Sequence, residues 1–433
     1  MAFDGVQRNR SVNYSSFMNG KVRSKSSFTF VSLFSGAGIG DYGLKLAGGK
    51  CLAACEIDAK RRLTHTHNIK APIFGDIRAE KNALISALKG MSVDLLIATP
   101  PCQSFSSANA KRGKINDASS ANSDPRNHLF FQAITVINAI RPRVVIFENV
   151  PNFLGRSIYS ECGTVKGTVS EFMDACLGDY VSWKSSVCFS EAGIPQYRKR
   201  AIAIYVLRDI IPHHSKSFDL ACKDLIPENW IAKFTGAPAT LIDAISSFPV
   251  LDGKSETLAT SNDILHSCPT YSKTHYSWIR NIPKMSGKSA WENKCTTCGN
   301  NDTPPLEIDC IQCGSKILTR PHISEKNGNI RAIKGFKSSY RRMNPFDKAP
   351  TITTSSGHFS SDIKLHPTQN RVLSARECAA LQTIPASFKW PEEVLYKKGY
   401  IVREMIGEAI PPAITFRFGR SLSLWLTKQI PPK

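Results

Sequence analysis

Phe28-Thr-Phe-Val-Ser-Leu-Phe34-Ser-Gly36-Ala-Gly38-Ile-Gly40-Asp-Tyr-Gly43-Leu44 is the stretch on which the fold turns. An apolar run of strand length passes straight into glycines at 36, 38, 40 and 43, and a helix is expected to follow. Glycine lets the main chain approach a ligand closely, and the N–H groups of a helix start then point at it. A glycine-rich loop alone is a weak signal, because ordinary turns use glycine too. What lies on either side decides it.

Further apolar runs recur at 50–57, 93–100, 144–150 and 201–207, with helical patterns between them at 79–90 and 127–142. In the second helix Leu129, Ala133, Val136, Ile137 and Ile140 share one face at helical spacing. Strand and helix in alternation imply an α/β fold: a Rossmann-like parallel sheet with helices on both faces. Ligands of such sheets sit at the carboxyl ends of the strands. The periodicity weakens from about 210 to 365, where Pro, Gly, Ser and Asn are frequent. Order returns in 371–385, helical up to Pro385, and in 405–430, a loop and a final helix. The expected organisation is a basic tail (1–27), a catalytic and ligand-binding domain (28–209), a smaller irregular domain (210–370) and a segment returning to the first domain (371–433). No internal repeat is found.

The chain has 433 residues, 42% of them hydrophobic and 21% charged, which excludes a disordered or fibrous protein. Its 56 Lys and Arg against 35 Asp and Glu leave a net charge of +21. That excess favours a polyanionic partner, nucleic acid before membrane. No apolar run approaches the roughly 18 residues of a spanning helix, and the first twenty residues lack the apolar core of a signal peptide. A soluble, intracellular protein is expected, with its 13 cysteines available as thiols for metal or catalysis.

The strand ends carry the chemistry. Glu56-Ile57-Asp58 places a carboxylate where a ribose diol would be held, and Gly75-Asp76-Ile77 places one suited to an exocyclic adenine amine. Together with the glycine loop these describe an adenosine pocket. No Gly-Lys-Ser/Thr phosphate motif is present, so a nucleoside triphosphate is disfavoured. The next strand ends in Thr99-Pro100-Pro101-Cys102-Gln103-Ser104. A free cysteine is usually a small buried hydrophobe. Here two prolines hold it rigidly and polar residues surround it, which points to a nucleophile. The polar, basic stretch 103–126 after it reads as a lid. Glu148 leaves an apolar strand, an environment that tends to raise a carboxyl pKa and suits a proton donor; an exposed strand-end acid is the bland alternative. In Gln196-Tyr197-Arg198-Lys199-Arg200 the alternate residues Gln196, Arg198 and Arg200 face one way, toward something anionic or carbonyl-like.

Phe34-Ser-Gly-Ala-Gly-Ile-Gly40, Pro101-Cys102-Gln103, Glu148-Asn149-Val150, Gln196-x-Arg198-x-Arg200, Arg371-x-Leu-x-x-Arg376-Glu377-x-x-x-Leu381-Gln382-x-x-Pro385 and Gly407-Glu-Ala-Ile-Pro411 occur in that order. The set resembles the cytosine-C5 DNA methyltransferases, over about 28–207 and 371–425. The resemblance implies a Rossmann-like methyltransferase sheet, S-adenosyl-L-methionine as methyl donor and double-stranded DNA as substrate. Cys102 would add to carbon 6 of a flipped-out cytosine, Glu148 would serve the ring N3, and Arg200 with Arg198 would hold O2. Phe34 would stack on adenine, Gly36 and Gly38 would line the loop, Glu56 with Ile57 would meet the ribose side, Asp76 with Ile77 the adenine edge, and Pro101 would line the pocket. It further implies a bacterial modification enzyme of a restriction–modification system, monomeric, in the cytoplasm and off the membrane, with a cognate restriction endonuclease as functional partner. Two departures stand out. Glu408 occupies the position where the family usually has Asn, which leaves the methionine-end contact of that segment open, and Ile39 replaces one glycine of a common Gly-Gly pair.

Between Arg200 and Arg371 the family carries its target-recognition region. Here it holds Cys295-Thr-Thr-Cys298-Gly299 and Cys310-Ile-Gln-Cys313-Gly314. This spacing is that of two zinc-ribbon knuckles (295–314), with four unligated thiols as the alternative. A structural zinc is expected to stabilise a region too irregular to fold on a core of its own. A basic run follows, Arg320, Lys326, Arg331, Lys334, Lys337, Arg341, Arg342 and Lys348, and phosphate contact is favoured over a solvated face. Thr351–His358 reads either as a recognition loop or as an ordinary turn. Two rivals are weighed. A tRNA-modifying branch typically carries Cys-Phe-Thr in this region, and that tripeptide is absent. A catalytically inactive DNA-binding relative is opposed by the intact Cys102, Glu148 and Arg200.

Overall fold

The computed structural model describes residues 27–101, 129–159, 165–211, 218–231, 239–254, 263–333, 335 and 337–429. Cys102, the stretch 103–126 and nearly all of the basic tail lie outside them.

Strand β1 (Phe28–Leu33) pairs in parallel with β2 (Gly49–Cys55) and, on its other side, with β4 (Leu95–Ala98). Two-residue β3 (Ile73–Phe74) extends β2, and β5 (Val144–Asn149) extends β4, both in parallel. Helices α1 (Ile39–Leu46), α2 (Ala59–Asn68), α3 (Ile77–Ala87) and α4 (Leu129–Ile140) make the connections. A hairpin of β6 (Ser157–Tyr159) and β7 (Val165–Thr168) leads to α5 (Val169–Cys176), then β8 (Tyr180–Cys188) and β9 (Lys199–Leu207). The sheet order is β3-β2-β1-β4-β5-β9-β8.

The expectation of a wholly parallel sheet needs correction. β9 runs antiparallel to β5, and β8 antiparallel to β9. β8 escapes detection because it is an edge strand, mostly half-exposed, and its YVSWKSSVC reads as no apolar run. The central strands are buried on both faces and therefore read as continuous apolar runs, as in four-residue β4 with every position buried.

Alternation sorts the side chains. Leu96, Ala98, Val145, Phe147, Ala203 and Tyr205 face a core shared with Leu84 of α3, Ala133 of α4 and Met173 of α5. Ile97, Val144, Ile146, Ile202 and Ile204 face the opposite core. By the same two-residue period Glu148 and Arg200 point toward that second side.

The second side is covered by the C-terminal helices, α7 (Ala375–Leu381), α8 (Glu392–Glu408) and α9 (Pro412–Gln429); a helix α6 (Lys273–Arg280) precedes them in the chain. α9 lies against α1 closely enough that a Cβ on Gly43 would fall 2.1 Å from Thr415 Oγ1 and 2.2 Å from the Pro412 carbonyl oxygen. Thr415 Oγ1 in turn donates to the Gly40 carbonyl at 2.7 Å. Residues at the two ends of the chain thus form one layer.

The irregular region has more of a core than its sequence suggests. Trp278 of α6 meets Tyr340 edge-on at 5.7 Å, and Trp291 meets the same ring at 5.8 Å. These rings close over Ile279, Ile282, Leu365 and Val372. Two short pairs, β10 (His322–Ser324) with β11 (Ile330–Ala332) and β12 (Arg341–Arg342) with β13 (Ile363–Leu365), flank them. Its polar anchors are buried arginines. Arg320 donates to the carbonyls of Asn293, Thr303, Pro304 and Glu307, and Arg342 to those of Ile279, Ile282, His366 and Gln369. Both are fully buried, so these two members of the basic run hold the fold and cannot reach a phosphate. Arg331 and Arg341 are paired with Glu325 and Glu292. Among the described residues no helix is long and apolar enough to cross a membrane.

Candidate active site and cysteine cluster

The glycine loop leaves β1 through two residues in the left-handed region, Phe34 (φ 59°) and Gly36 (φ 54°), and starts α1 at Gly38 (φ 75°). Phe34 tolerates that backbone because its carbonyl accepts the Thr99 hydroxyl at 2.9 Å, tying the end of β1 to the end of β4. A Cβ on Gly38 would sit 2.7 Å from the His65 ring, so no side chain fits there.

Glu56 lies beyond β2 and folds back over the loop. Its two carboxylate oxygens accept the main-chain N–H groups of Gly36 and Asp58, both at 2.9 Å. Burial outweighs those bonds and raises its pKa. Ile57 next to it is 62% exposed, a large apolar side chain left in solvent beside the pocket. Asp58 caps α2, accepting from Lys60 N and Arg61 N. Asp76 caps α3 and is clasped by Arg78, whose side-chain hydrogen bond lowers its pKa. Ile77 differs from the expectation for a contact residue. The residue as a whole is 3% exposed, in the core under α3.

Pro100 and Pro101 end the β4 unit, and the Asn149 side-chain amide donates to the Pro100 carbonyl at 3.0 Å. That bond fixes the segment entering Cys102 against the end of β5. Glu148, 6% exposed, has Oε1 3.0 Å from Arg200 Nε. The contact lies off the N–H direction, so it is a charge contact that leaves this oxygen able to accept a hydrogen bond. Arg200 keeps a small exposed fraction, with Nη1 on the Lys199 carbonyl at 2.8 Å.

Arg198 is placed differently from Arg200. It is fully buried, with Nη1 on the carbonyls of Ile352 and Gly407. Gln196 is its counterpart, donating to the Leu381 carbonyl at 2.9 Å and Gln382 Oε1 at 2.5 Å while accepting from Ile352 N at 3.1 Å. Gln382 continues the chain to the carbonyls of Ile406 and Ala409. The alternating Gln-x-Arg-x-Arg therefore delivers one side chain to the site and two to a junction joining 349–354, α7 and the end of α8. Gly407 belongs to that junction, since a Cβ there would lie 2.3 Å from the Thr353 main chain. The segment 351–358 is thus anchored at its start to the lead into β9.

Sequence reasoning missed Arg61. It lies in α2 within Lys60-Arg61-Arg62, which reads as a solvated face, yet it binds Glu408 with Nε on Oε1 at 2.6 Å and Nη2 on Oε2 at 2.9 Å. Glu408 Oε1 is also 3.5 Å from where a Cβ of Gly36 would stand, so the pair borders the glycine loop.

The four knuckle cysteines converge, all four Sγ atoms within 4.8 Å of one another. Cys295 and Cys313 are 3.8 Å apart at sulfur, and Cys298 and Cys310 3.6 Å. A disulfide needs about 2.05 Å, whereas four thiolates around zinc at about 2.3 Å stand about 3.8 Å apart. Main-chain N–H groups of Cys313 and Gln312 pull the Cys310 thiol down to about 6. Gly299 (φ 79°) and Gly314 (φ 71°) make the turns beneath, as in a ribbon built for a metal. The donor set fits zinc.

The model of the C-5 cytosine-specific DNA methylase family matches residues 28–423. Among curated proteins, the Type II methyltransferase M1.HgaI of Avibacterium volantium is 27% identical, covering 92% of this chain and 99% of that protein. The Type II methyltransferase M.DdeI of Desulfomicrobium norvegicum is 24% identical over 92% of this chain and 89% of its own length. In fold, the chain is similar to a protein described as a DNA modification methyltransferase of an Escherichia coli prophage, with TM-score 0.56, 20% identity and coverage of 92% and 99%. A sheet with its glycine loop, acidic strand ends and Glu148–Arg200 pair on one edge, and a family match spanning nearly the whole chain, lead to one conclusion: this chain belongs to the C-5 cytosine-specific DNA methylases.

Proposed function

We propose that the protein transfers a methyl group from S-adenosylmethionine to C5 of a cytosine in a specific double-stranded DNA sequence, as the modification enzyme of a type II restriction–modification system. The observation that carries this reading is the Glu148–Arg200 pair at the end of β5, beside the Asn149-anchored Pro100-Pro101 segment that leads into Cys102. The near full-length match to proteins named as type II methyltransferases supports the modification role. The protein acts as a monomer in the bacterial cytoplasm, with a cognate endonuclease as its functional partner.

The residues fit the methyl donor. The glycine loop bares its main chain at Gly36, with Phe34 at its start, while Gly38 lets it pack against His65. Glu56 keeps acceptor capacity for a diol, Ile57 offers an apolar surface to a flat ring, and Asp76 with the Ile77 main chain offers an acceptor and a donor to an adenine edge. When bound, S-adenosylmethionine supplies an electrophilic methyl group.

The chain's own groups prepare the base. Cytosine C5 is a poor nucleophile, so the Cys102 thiolate adds to C6 and the displaced electron pair enriches C5. Glu148 donates a proton or hydrogen bond to N3, so negative charge does not build on the ring. Arg200 holds O2, while Arg198 fixes the strand that presents it. After methylation the C5 proton leaves, the C5–C6 double bond reforms and the thiolate is expelled. The base must leave the stack for these groups to reach it. A structural zinc held by Cys295, Cys298, Cys310 and Cys313 would order the knuckles within the target-recognition region.

The test uses 5-fluorocytosine at the target position of a duplex, with S-adenosylmethionine. Fluorine at C5 cannot leave as a proton does, so the wild type should be trapped in a denaturation-resistant complex. Cys102→Ser should not be trapped, and Glu148→Gln should be trapped slowly. Bisulfite sequencing of plasmid DNA from expressing cells identifies the target beforehand. An adduct mapped to another cysteine, or full methylation by Cys102→Ser, would overturn the mechanism.

A further inference from the structure

Beside the cysteine cluster lies a buried cation whose balancing charge the rest of the fold does not supply. We infer that Arg320 is the counter-charge of the zinc centre: its guanidinium balances the thiolates of Cys295, Cys298, Cys310 and Cys313 and thereby sets how tightly the metal is held. The inference rests on the reading of those cysteines as zinc ligands.

The unbalanced charge comes first. Arg320 is 0% exposed. Its guanidinium donates to four main-chain carbonyls, those of Asn293 at 2.8 Å, Thr303 at 3.0 Å, Pro304 at 2.7 Å and Glu307 at 3.0 Å. All four acceptors are neutral, and among the described residues no carboxylate is paired with it. Glu292 is taken by Arg341 at 3.1 Å, and Glu307 is exposed and meets Arg320 through its carbonyl. The carbonyls satisfy the donors but leave a whole positive charge inside the protein, where burial pulls its pKa below the ordinary arginine value.

The anion stands next to it. Four thiolates around one zinc ion leave a net charge of about −2. Cys295 and Cys310 are the buried pair, Cys298 and Cys313 the exposed one. The buried sulfurs pack with Ile317, whose carbonyl accepts the Arg320 main-chain N–H at 2.9 Å. Cys310 and Cys295 are, with Glu307 and Glu292, the groups whose negative charge supports the Arg320 cation. The carbonyl cage comes from the ribbon itself: Asn293 precedes the first knuckle, and Thr303, Pro304 and Glu307 lie between the two. Thr303 extends the link, its Oγ1 accepting the Ile311 N–H of the second knuckle at 3.4 Å. Metal loading and the burial of Arg320 therefore stabilise each other. Without the thiolates the guanidinium is stranded, and without the guanidinium the charge of the inner sulfur pair lacks a partner. Arg320 is a positioning residue, acting on the metal through the sulfurs.

The experiment measures the zinc affinity of the full-length protein by competition with a chromophoric chelator. Arg320→Lys keeps the charge, Arg320→Gln keeps a donor without charge, and Arg320→Met keeps neither. Affinity should fall about 10–100-fold in the Gln and Met variants and stay within about threefold in Arg320→Lys. Cobalt(II) in place of zinc reads the charge itself. Its thiolate-to-metal charge-transfer band should move to longer wavelength in Arg320→Gln and Arg320→Met and hold in Arg320→Lys, because a nearby cation lowers the energy of the thiolate electrons. Equal zinc affinity in Arg320→Gln and Arg320→Lys, or an unmoved band, would leave Arg320 a carbonyl clamp only and overturn the inference. If the neutral variants lose cooperative thermal unfolding, Arg320→Lys decides alone: affinity within about threefold supports the counter-charge, and a larger loss overturns it. A wild type that holds no zinc would instead overturn the zinc reading on which the inference rests.

Discussion

Replacing Arg371 with methionine should destabilise the protein by about 3–5 kcal/mol, the usual cost of stranding one partner of a buried ion pair. Arg371 and Glu377 are both 0% exposed and joined by two bonds, Nη1 to Oε2 at 2.7 Å and Nη2 to Oε1 at 2.8 Å. Glu377 also accepts the Ser374 N–H at 2.7 Å, completing the capping box that starts α7. Burial by itself would resist ionisation of Glu377, but the Arg371 guanidinium overrides it and holds the carboxyl down to about 2 against an ordinary 4.5. That gap corresponds to roughly 3 kcal/mol, in agreement with the mutational expectation. Because the folded pKa is depressed, the contribution is fully present above pH 4.5 and is lost as pH falls toward about 2. Urea denaturation followed by tryptophan fluorescence measures it. The difference between wild type and Arg371→Met should be largest at neutral pH and shrink as pH falls from about 4.5 toward about 2. The double variant Arg371→Met/Glu377→Leu should recover part of the loss, because no buried charge is then stranded. A single-variant loss below about 1 kcal/mol, or a difference indifferent to pH, would refute the reasoning.

Protein purified without chelator should contain about one zinc per chain, and Cys298→Ser with Cys313→Ser should release it while S-adenosylhomocysteine binding survives; metal analysis finding none in the wild type would remove the zinc. Gly43→Ala should lower the midpoint of urea denaturation by an amount worth about 1–3 kcal/mol or more, since the new Cβ would meet Thr415 Oγ1 at 2.1 Å and the Pro412 carbonyl at 2.2 Å; an unchanged midpoint would show that α1 and α9 separate without cost. Asn149→Ala should reduce methylation rate by about tenfold or more with little change in donor affinity, because it frees Pro100 and the approach to Cys102 while leaving Glu56 and Asp76 in place; single-turnover rates and calorimetry separate the two effects.

Local features were readable because local rules govern them. The glycine loop, the acids at the ends of β2 and β3 and the burial of β4 follow from backbone sterics and from the continuous apolar pattern of a doubly covered strand. The knuckle spacing brought four sulfurs together as expected. The helix expected at 127–142 is described over Leu129–Ile140, with Ala133, Val136 and Ile137 buried at one face as its spacing implied. β8 was not, because a half-exposed edge strand leaves no apolar run to find.

What no pattern could supply is the fate of a charge. Arg320 and Arg342 look like their neighbours in a basic run, yet both are enclosed by carbonyl oxygens. Arg198 and Arg200 are two residues apart on one strand face, but the first is buried in a junction and the second meets Glu148. Arg61 and Glu408 lie 347 positions apart and meet only because α8 packs beside α2. The sequence by itself determined the apolar strands β1, β2, β4, β5 and β9 with the helices next to them, and the chemical types at the strand ends, because those depend on residues close together in the chain. The tertiary structure alone decided which arginines hold the fold, which one meets Glu148 and which carboxylate borders the glycine loop, because a charge is stabilised or stranded by partners that folding brings from elsewhere in the chain.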